Sequence, residues 1–253
     1  MDWILALAGL AVGTLVGLTG VGGGSLMTPF LLFYGIPPSI AVGTDLAYAA
    51  VAKSLGVWLR HKARSVDWRG ALLLMSGSLP AALIIIGLLK WGVLGGEGLD
   101  FVITRVLAVS LVVTALTVLF QRRLQGLRSE LGEVRGRTPL TVLVGAVLGA
   151  LVTLSSVGSG AIGTAALLLL YPRWPVARVV GTDLAYAVPL TATAAVGHLL
   201  LGNVNGGYFL SLVVGAIPGM YLGTRMGLWL PDQWLRSGLG VVLFFVGLSL
   251  LVK

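Results

Sequence analysis

The stretch VGTDLAYA occurs twice, at Val42–Ala49 and again at Val180–Ala187. Its sole charge is an aspartate, Asp45 in one copy and Asp183 in the other, and both copies sit in long apolar runs. A carboxylate at the centre of a bilayer costs about 2.5–3.5 kcal/mol on insertion scales, so placing it twice among the same neighbours points to a function. The 138-residue spacing also pairs Gly20 and Gly22 with Gly158 and Gly160, Val66 with Val204, Gly77 with Gly215 and Pro80 with Pro218. One register holding that far predicts two homologous halves, residues 1–120 and 138–253, joined by a charged cytoplasmic linker at 121–137. Internal repeats of this kind are a common construction in secondary transporters, with the substrate site between them.

Composition fixes the solvent. The chain is 57% hydrophobic and 10% charged, with a mean hydropathy of +1.00, whereas a soluble domain is roughly 25% charged. No charged residue occurs from Trp3 to Thr44 or from Thr138 to Pro172. A bilayer crossing takes about 20 apolar residues, so each of these runs is too long for one straight span, while Gly70–Leu89 is a clean one. The expected fold is an all-α integral membrane protein of about eight transmembrane segments in two four-helix repeats. The apolar N-terminus, without a basic leader or an A-x-A-like site, reads as a first membrane segment. There are no cysteines, which removes disulfides, thiolate metal sites and cysteine nucleophiles. A net charge of +8 would suggest nucleic acid in a soluble protein, but here the basic residues crowd into Arg60–Arg64 and Gln121–Arg137, as in loops retained on the cytoplasmic side. Nucleic acid is therefore not an expected partner, and the lipid bilayer of the cell membrane is.

Each half opens with a helix interrupted by small residues, GLTGVGGGSLMTP (Gly17–Pro29) and TLSSVGSGAIGT (Thr153–Thr164). Glycine costs about 1 kcal/mol in a helix interior, and Gly22, Gly23 and Gly24 in succession should break one. Broken backbone at membrane depth is tolerated only where protein or a watery cavity satisfies it, and the free N–H groups of the resuming helix favour an anion. The competing reading is close helix packing through small residues. On the anion reading, Gly22–Ser25 and Gly158–Gly163 face each other. The candidate substrate-binding residues are Thr19, Gly20, Gly22, Gly23, Gly24, Ser25 and Thr44 in the first half, and Ser156, Gly158, Ser159, Gly160 and Thr182 in the second.

These segments carry a resemblance. GLTGVGGGSLMTPFLLFYGIPPSIAVGTDLAYA (Gly17–Ala49), its echo SVGSGAIGTAALLLLYPRWPVARVVGTDLAYAVPL (Ser156–Leu190), GHLLLGNVNGG (Gly197–Gly207) and GAIPGMYLG (Gly215–Gly223) together resemble the sulfite exporter TauE/SafE family of membrane permeases. The resemblance covers essentially the whole chain. It implies a multi-pass permease of duplicated four-span units that moves sulfite, sulfonates or related sulfur-containing anions, often outward.

Other chemistry fits less well. Intramembrane aspartyl proteases use YD and GxGD contexts, which neither copy of VGTD matches, and a GxSG serine protease would need glycine at Val157. The isolated histidines lack zinc spacing, so no metal or cofactor is expected. A non-transporting receptor or scaffold is the other class left standing. Lys53, two helical turns after Asp45, could attract an oxyanion as a functional cation but near the helix end reads rather as a stem snorkelling to the interface, and His198, aligned with Arg60, as a headgroup-level side chain. The tryptophans and tyrosines read mostly as interfacial anchors.

The expected function is thus a secondary transporter, not an enzyme, for a small sulfur-containing anion, with export and proton coupling through Asp45 and Asp183. Those acids should be partnered, hydrated or protonated; the alternative is that each, helped by Thr44 or Thr182, caps backbone freed by the glycine break. If all eight segments cross, the halves are parallel. If the broken segments dip in and return, the halves are inverted and Arg173, Arg178, Arg225 and Arg236 move to the cytoplasmic side, as the positive-inside tendency favours. The identity of the anion and homodimer formation stay open at this level.

Overall fold

The computed structural model describes residues 2–19, 24–62, 64–92, 98–121, 123, 126, 136–226 and 232–252. Among these, ten long helices occur and no strand. They are α1 (Trp3–Thr19), α2 (Gly24–Phe33), α3 (Pro38–Lys62), α4 (Trp68–Lys90), α5 (Leu99–Leu119), α6 (Arg137–Ser155), α7 (Ala161–Leu170), α8 (Val176–Leu200), α9 (Gly206–Met226) and α10 (Asp232–Val252). Among the described residues, six helical stretches are long and apolar enough to cross a membrane: Pro38–Trp58 in α3, all of α4, α5, α6 and α8, and Gly206–Gly223 in α9. Trp3–Leu18, Ala161–Leu170 and Gly238–Leu251 form shorter apolar helices.

The helix ends follow from local chemistry. Asp67 caps α4 by accepting the Gly70 N–H at 2.8 Å, and Asn205 caps α9 by accepting the Tyr208 N–H at 3.0 Å. Proline at the start of α3 supplies a preset φ and no orphan donor. The stop of α6 and start of α7 are written in backbone signs: Ser156 has φ 59°, Gly158 128° and Gly160 120°. The last two are conformations that glycine adopts without a Cβ penalty. In the first half Gly20, Gly22 and Gly23 lie outside the described residues, as does most of the 121–137 linker.

Both broken segments turn back on themselves. The Tyr34 hydroxyl, just past α2, donates to Asp2 Oδ2 at 2.8 Å, so α2 ends beside the start of α1. In the second half Tyr171, just past α7, bonds Thr141 at 2.9 Å and lies under the Arg137 guanidinium, beside the start of α6. The Tyr34 hydroxyl, followed by the Leu5 and Ile4 amides, holds the Asp2 carboxyl below the ordinary carboxylate value. A lowered value means that the contact is complete above the ordinary value and is lost as pH falls through the lowered one. Protection of the Ile4 and Leu5 amides in hydrogen exchange, corrected for intrinsic rate, is therefore expected to fall in acid, and to be low at every pH in Asp2→Ala.

Glycines set the packing. A Cβ on Gly9 would lie 2.2 Å from the Leu212 carbonyl oxygen, on Gly13 2.8 Å from that of Ala216, and on Gly215 1.8 Å from that of Ala6. Contacts that advance together along α1 and α9 mean that these helices run parallel with their backbones touching. The pair α4–α6 repeats the arrangement: an added Cβ would lie 2.0 Å from Val142 O at Gly77, 2.3 Å from Leu74 O at Gly145 and 2.3 Å from Ser78 O at Gly149. Between lipid-facing helices no hydrophobic drive exists, so such close approach is a main source of cohesion. Elsewhere α3 and α8 cross antiparallel, with Gly43 against Asn203 and Gly181 against Ser65. Helix α5 packs antiparallel to α10, where Gly240 meets Leu119 and Gly247 meets Val112. Each half thus lays its first helix on a long helix of the other, and α3 and α8 meet in the middle.

Candidate functional site

The repeated word resolves residue by residue. Val42 and Val180 fill the core. Gly43 and Gly181 admit the loops before α9 and α4, where a Cβ would sit 2.2 Å from Asn203 O and from Ser65 O. Thr44 Oγ1 accepts the Asn205 N–H at 3.1 Å, and Thr182 Oγ1 accepts the Asp67 N–H at 3.0 Å. Each threonine therefore holds the capping residue that starts a helix of the opposite half. Neither threonine hydroxyl is directed at a glycine break by these bonds. Leaving a buried N–H without its acceptor costs about 1–3 kcal/mol. Thr44→Val and Thr182→Val are each expected to lower stability by that order in detergent unfolding, with the pH dependence of transport unchanged.

The aspartates come next. Asp45 is 0% exposed and Asp183 1%. The Thr28 hydroxyl of α2 donates to Asp45 Oδ2. The Ser156 hydroxyl lies close to the same carboxyl but makes no well-formed hydrogen bond. Asp45 thereby brings α2 and the Ser156–Gly160 bridge together. Asp183 faces the Thr164 hydroxyl and the Gly160 N–H at the start of α7. Its Oδ1 packs on Gly163, where a Cβ would lie 2.0 Å from it and 2.9 Å from the Tyr186 hydroxyl. A carboxylate at a helix N-terminus is favoured by the dipole and the free donors. Even so, Asp45 Oδ1, Asp183 Oδ1, Ser156 Oγ, Tyr48 Oη and Tyr186 Oη are buried with no hydrogen-bond partner among the described residues. A buried polar atom left so costs about 1–3 kcal/mol, and five gathered around two acids mark a place built for something besides the resting chain.

Lys53 corrects the snorkelling expectation. It is 2% exposed, and its Nζ turns inward to donate to Ser159 Oγ at 2.5 Å. The expectation failed because burial is decided by α8, which packs antiparallel over α3 and has no signature in the local sequence. His198, near the end of α8, is likewise turned into the protein: it is 0% exposed, and its Nε2 meets the Thr153 carbonyl at 2.9 Å. A carbonyl only accepts, which places the ring proton on Nε2 and leaves Nδ1 facing Asn203 Nδ2 at 3.5 Å. Trp3 and Trp91 are exposed near helix ends, as anchors should be, but Tyr48 and Tyr186 are fully buried.

Of the other candidates, Ser25, Gly158, Ser159 and Gly160 stand in or beside the two breaks, with Ser25 and Ser159 buried. Thr19 closes α1 and Gly24 opens α2. Thr28 and Thr164 join the cluster without having been singled out as binding residues from the sequence. A polar residue one turn into each returning helix was the available signal for Thr28 and Thr164.

The chain is 33% identical over 255 residues to "Probable membrane transporter protein YjnA" of Bacillus subtilis, covering 99% of this chain and all of the relative. It is 26% identical to "Probable membrane transporter protein YunE" of the same organism, over 99% of this chain and 97% of the relative. A probable membrane transporter protein of Methanocaldococcus jannaschii is 25% identical, over 98% of this chain and 95% of the relative. No solved structure matches. The family model described as Sulfite exporter TauE/SafE matches residues 5–250, and the chain belongs to that family of multi-pass membrane transporters.

Proposed function

We propose that the protein carries a small sulfur oxyanion, sulfite or an organosulfonate, outward across the cell membrane with a proton as coupling ion. The observation that carries this reading is the seat of Asp183. Its carboxylate rests on the Gly160 N–H and the Thr164 hydroxyl, the kind of donors that an incoming oxyanion needs. A carboxylate and an oxyanion compete for such donors, and protonation of the acid weakens the carboxylate as competitor. Proton and anion occupancy are thereby linked through electrostatics and hydrogen bonding. The family description supports the substrate class and the outward direction.

The arrangement proposed for the membrane is two inverted repeats, each with three crossings and one glycine-broken hairpin that enters and returns. The antiparallel crossing of α3 and α8 and the Tyr34–Asp2 and Tyr171–Thr141 contacts support it. In that arrangement every Lys and Arg of the chain except Lys53, Lys90, Arg105 and Lys253 falls at one membrane face, as the positive-inside tendency demands.

The test is flux in liposomes containing the purified protein, with sulfite, an organosulfonate, sulfate and chloride offered under imposed pH and voltage gradients. The reading expects sulfite or the sulfonate to move, faster than chloride and with a pH-dependent driving force. Equal movement of all four anions, or none, contradicts it.

A further inference from the structure

The two copies of VGTDLAYA are identical, but the halves differ beyond them, and about one helical turn on Lys53 stands where the second half has Thr191. The Thr191 hydroxyl is satisfied locally, by Ala187 O at 2.8 Å and Val188 O at 3.2 Å. Lys53 reaches out to Ser159 in the second break. Asp183 packs on Gly163 of that same break, and its neighbour Leu184 approaches Gly56 of α3, one turn past the lysine. The ammonium and Asp183 therefore meet at the second break. Eight residues of helix separate Asp45 from Lys53, about 12 Å at 1.5 Å per residue, and the antiparallel α8 carries Asp183 toward the lysine. The other titratable groups facing the cluster among the described residues are Tyr48, beside Asp45, and Tyr186, beside Asp183. Helix α2 adds the neutral Thr28 at Asp45, and α7 the neutral Thr164 at Asp183. One buried ammonium therefore serves two buried carboxyls, and serves them unequally.

We propose that Lys53 is the counter-charge of Asp183 and, once Asp183 is protonated, the ammonium that binds the oxyanion at the Ser156–Gly163 break, so that anion binding and coupling centre on the break and the acid of the second half, with the cation supplied by the first. Charge balances across the step. A proton from water forms the Asp183 O–H bond, Lys53 stays an ammonium, and an anion of charge minus one replaces the carboxylate as its partner. Asp45, seated on Thr28, keeps its protonation state throughout. Identical words thus hold different jobs, and the difference lies in one residue outside them. The anion part rests on the transport reading above; the pairing of Lys53 with Asp183 does not.

Thermal unfolding in detergent tests both parts. Lys53→Met leaves Asp183 buried without its counter-charge and is expected to lower Tm by several degrees. Adding Asp183→Asn should restore at least half of that loss, and adding Asp45→Asn should restore none. Equal rescue by both, or rescue by Asp45→Asn alone, overturns the pairing. Should Lys53→Met yield no folded protein, the pairing expects folded protein to return in the double variant with Asp183→Asn and not in that with Asp45→Asn; the opposite pattern overturns it. Sulfite is the probe for the second part, read as stabilisation of the protein with increasing concentration. The apparent Kd is expected to weaken at least tenfold in Lys53→Met with Asp183→Asn, and to stay within about threefold of wild type in Lys53→Arg. Unchanged sulfite affinity without the ammonium overturns the assignment of Lys53 to the anion. Absence of sulfite stabilisation in the wild type, beside an Asp183-specific rescue, overturns the anion part and leaves the pairing standing.

Discussion

Asp183→Asn is expected to abolish pH-driven accumulation of the anion while leaving exchange of labelled for unlabelled anion across the membrane. Asparagine keeps the shape of aspartate and accepts from the Gly160 N–H and the Thr164 hydroxyl through its carbonyl, but it does not titrate in the working range. If one proton accompanies each anion, a gradient of one pH unit sustains about a tenfold concentration ratio, since one unit corresponds to about 1.4 kcal/mol. In the variant that ratio should fall to about one. Proteoliposomes loaded with buffer and assayed with and without a pH step read the difference directly. Full accumulation in Asp183→Asn would show that the acid is a structural cap on α7. Asp45→Asn is the internal comparison, and on the asymmetry set by Lys53 it keeps the pH response.

Gly215→Leu and Gly77→Leu are expected to cause the largest losses of folded protein of any single change outside the site. A Cβ alone at Gly215 would lie 1.8 Å from the Ala6 carbonyl oxygen, and at Gly77 2.0 Å from that of Val142. These neighbours are backbone, so no rotamer change relieves the clash and the paired helices must separate. Overpacking a core costs about 1–3 kcal/mol, and here the loss of close contact along α1–α9 or α4–α6 adds to it. Recovery of monodisperse protein in detergent should fall several-fold, with a lowered Tm in what remains. Gly87→Leu is the control: a Cβ there meets nothing within 4 Å, and wild-type recovery is expected. Normal recovery of Gly215→Leu would contradict the backbone contact between α1 and α9.

The class of protein was legible because hydropathy and charge gaps are properties of the chain alone. The repeated word and the left-handed glycines at Gly158 and Gly160 were legible for the same reason: broken helices advertise themselves in composition. The return of α2 toward the start of α1 was not, since apolar helices of seventeen and ten residues in series look the same whether the second helix continues or doubles back. The Tyr34–Asp2 contact distinguishes the two. Thr44 and Thr182 were read with their neighbouring aspartates, yet their partners are the amides of Asn205 and Asp67, far away in the sequence. Lys53 was misread on the same principle. Its distance from the helix end suggested an interfacial stem, and its actual partner, Ser159, is 106 residues distant. Local pattern gives the elements and marks the unusual ones; which polar groups meet is set by how the two halves interlock.

The site depends most on the two hairpins turning back, because that reversal brings Ser156–Gly160, α2 and the aspartates to one place. The chain has no cysteine, so single cysteines can be read against a silent background. Asp2→Cys, Pro37→Cys, Arg64→Cys, Arg173→Cys and Val204→Cys, each probed in intact cells with a membrane-impermeant thiol reagent, locate both ends of both hairpins. The account predicts labelling from outside at positions 2, 37 and 204, and protection at 64 and 173. Labelling at 37 with protection at 2 would mean that the first segment crosses the membrane, and would contradict the inverted, re-entrant arrangement.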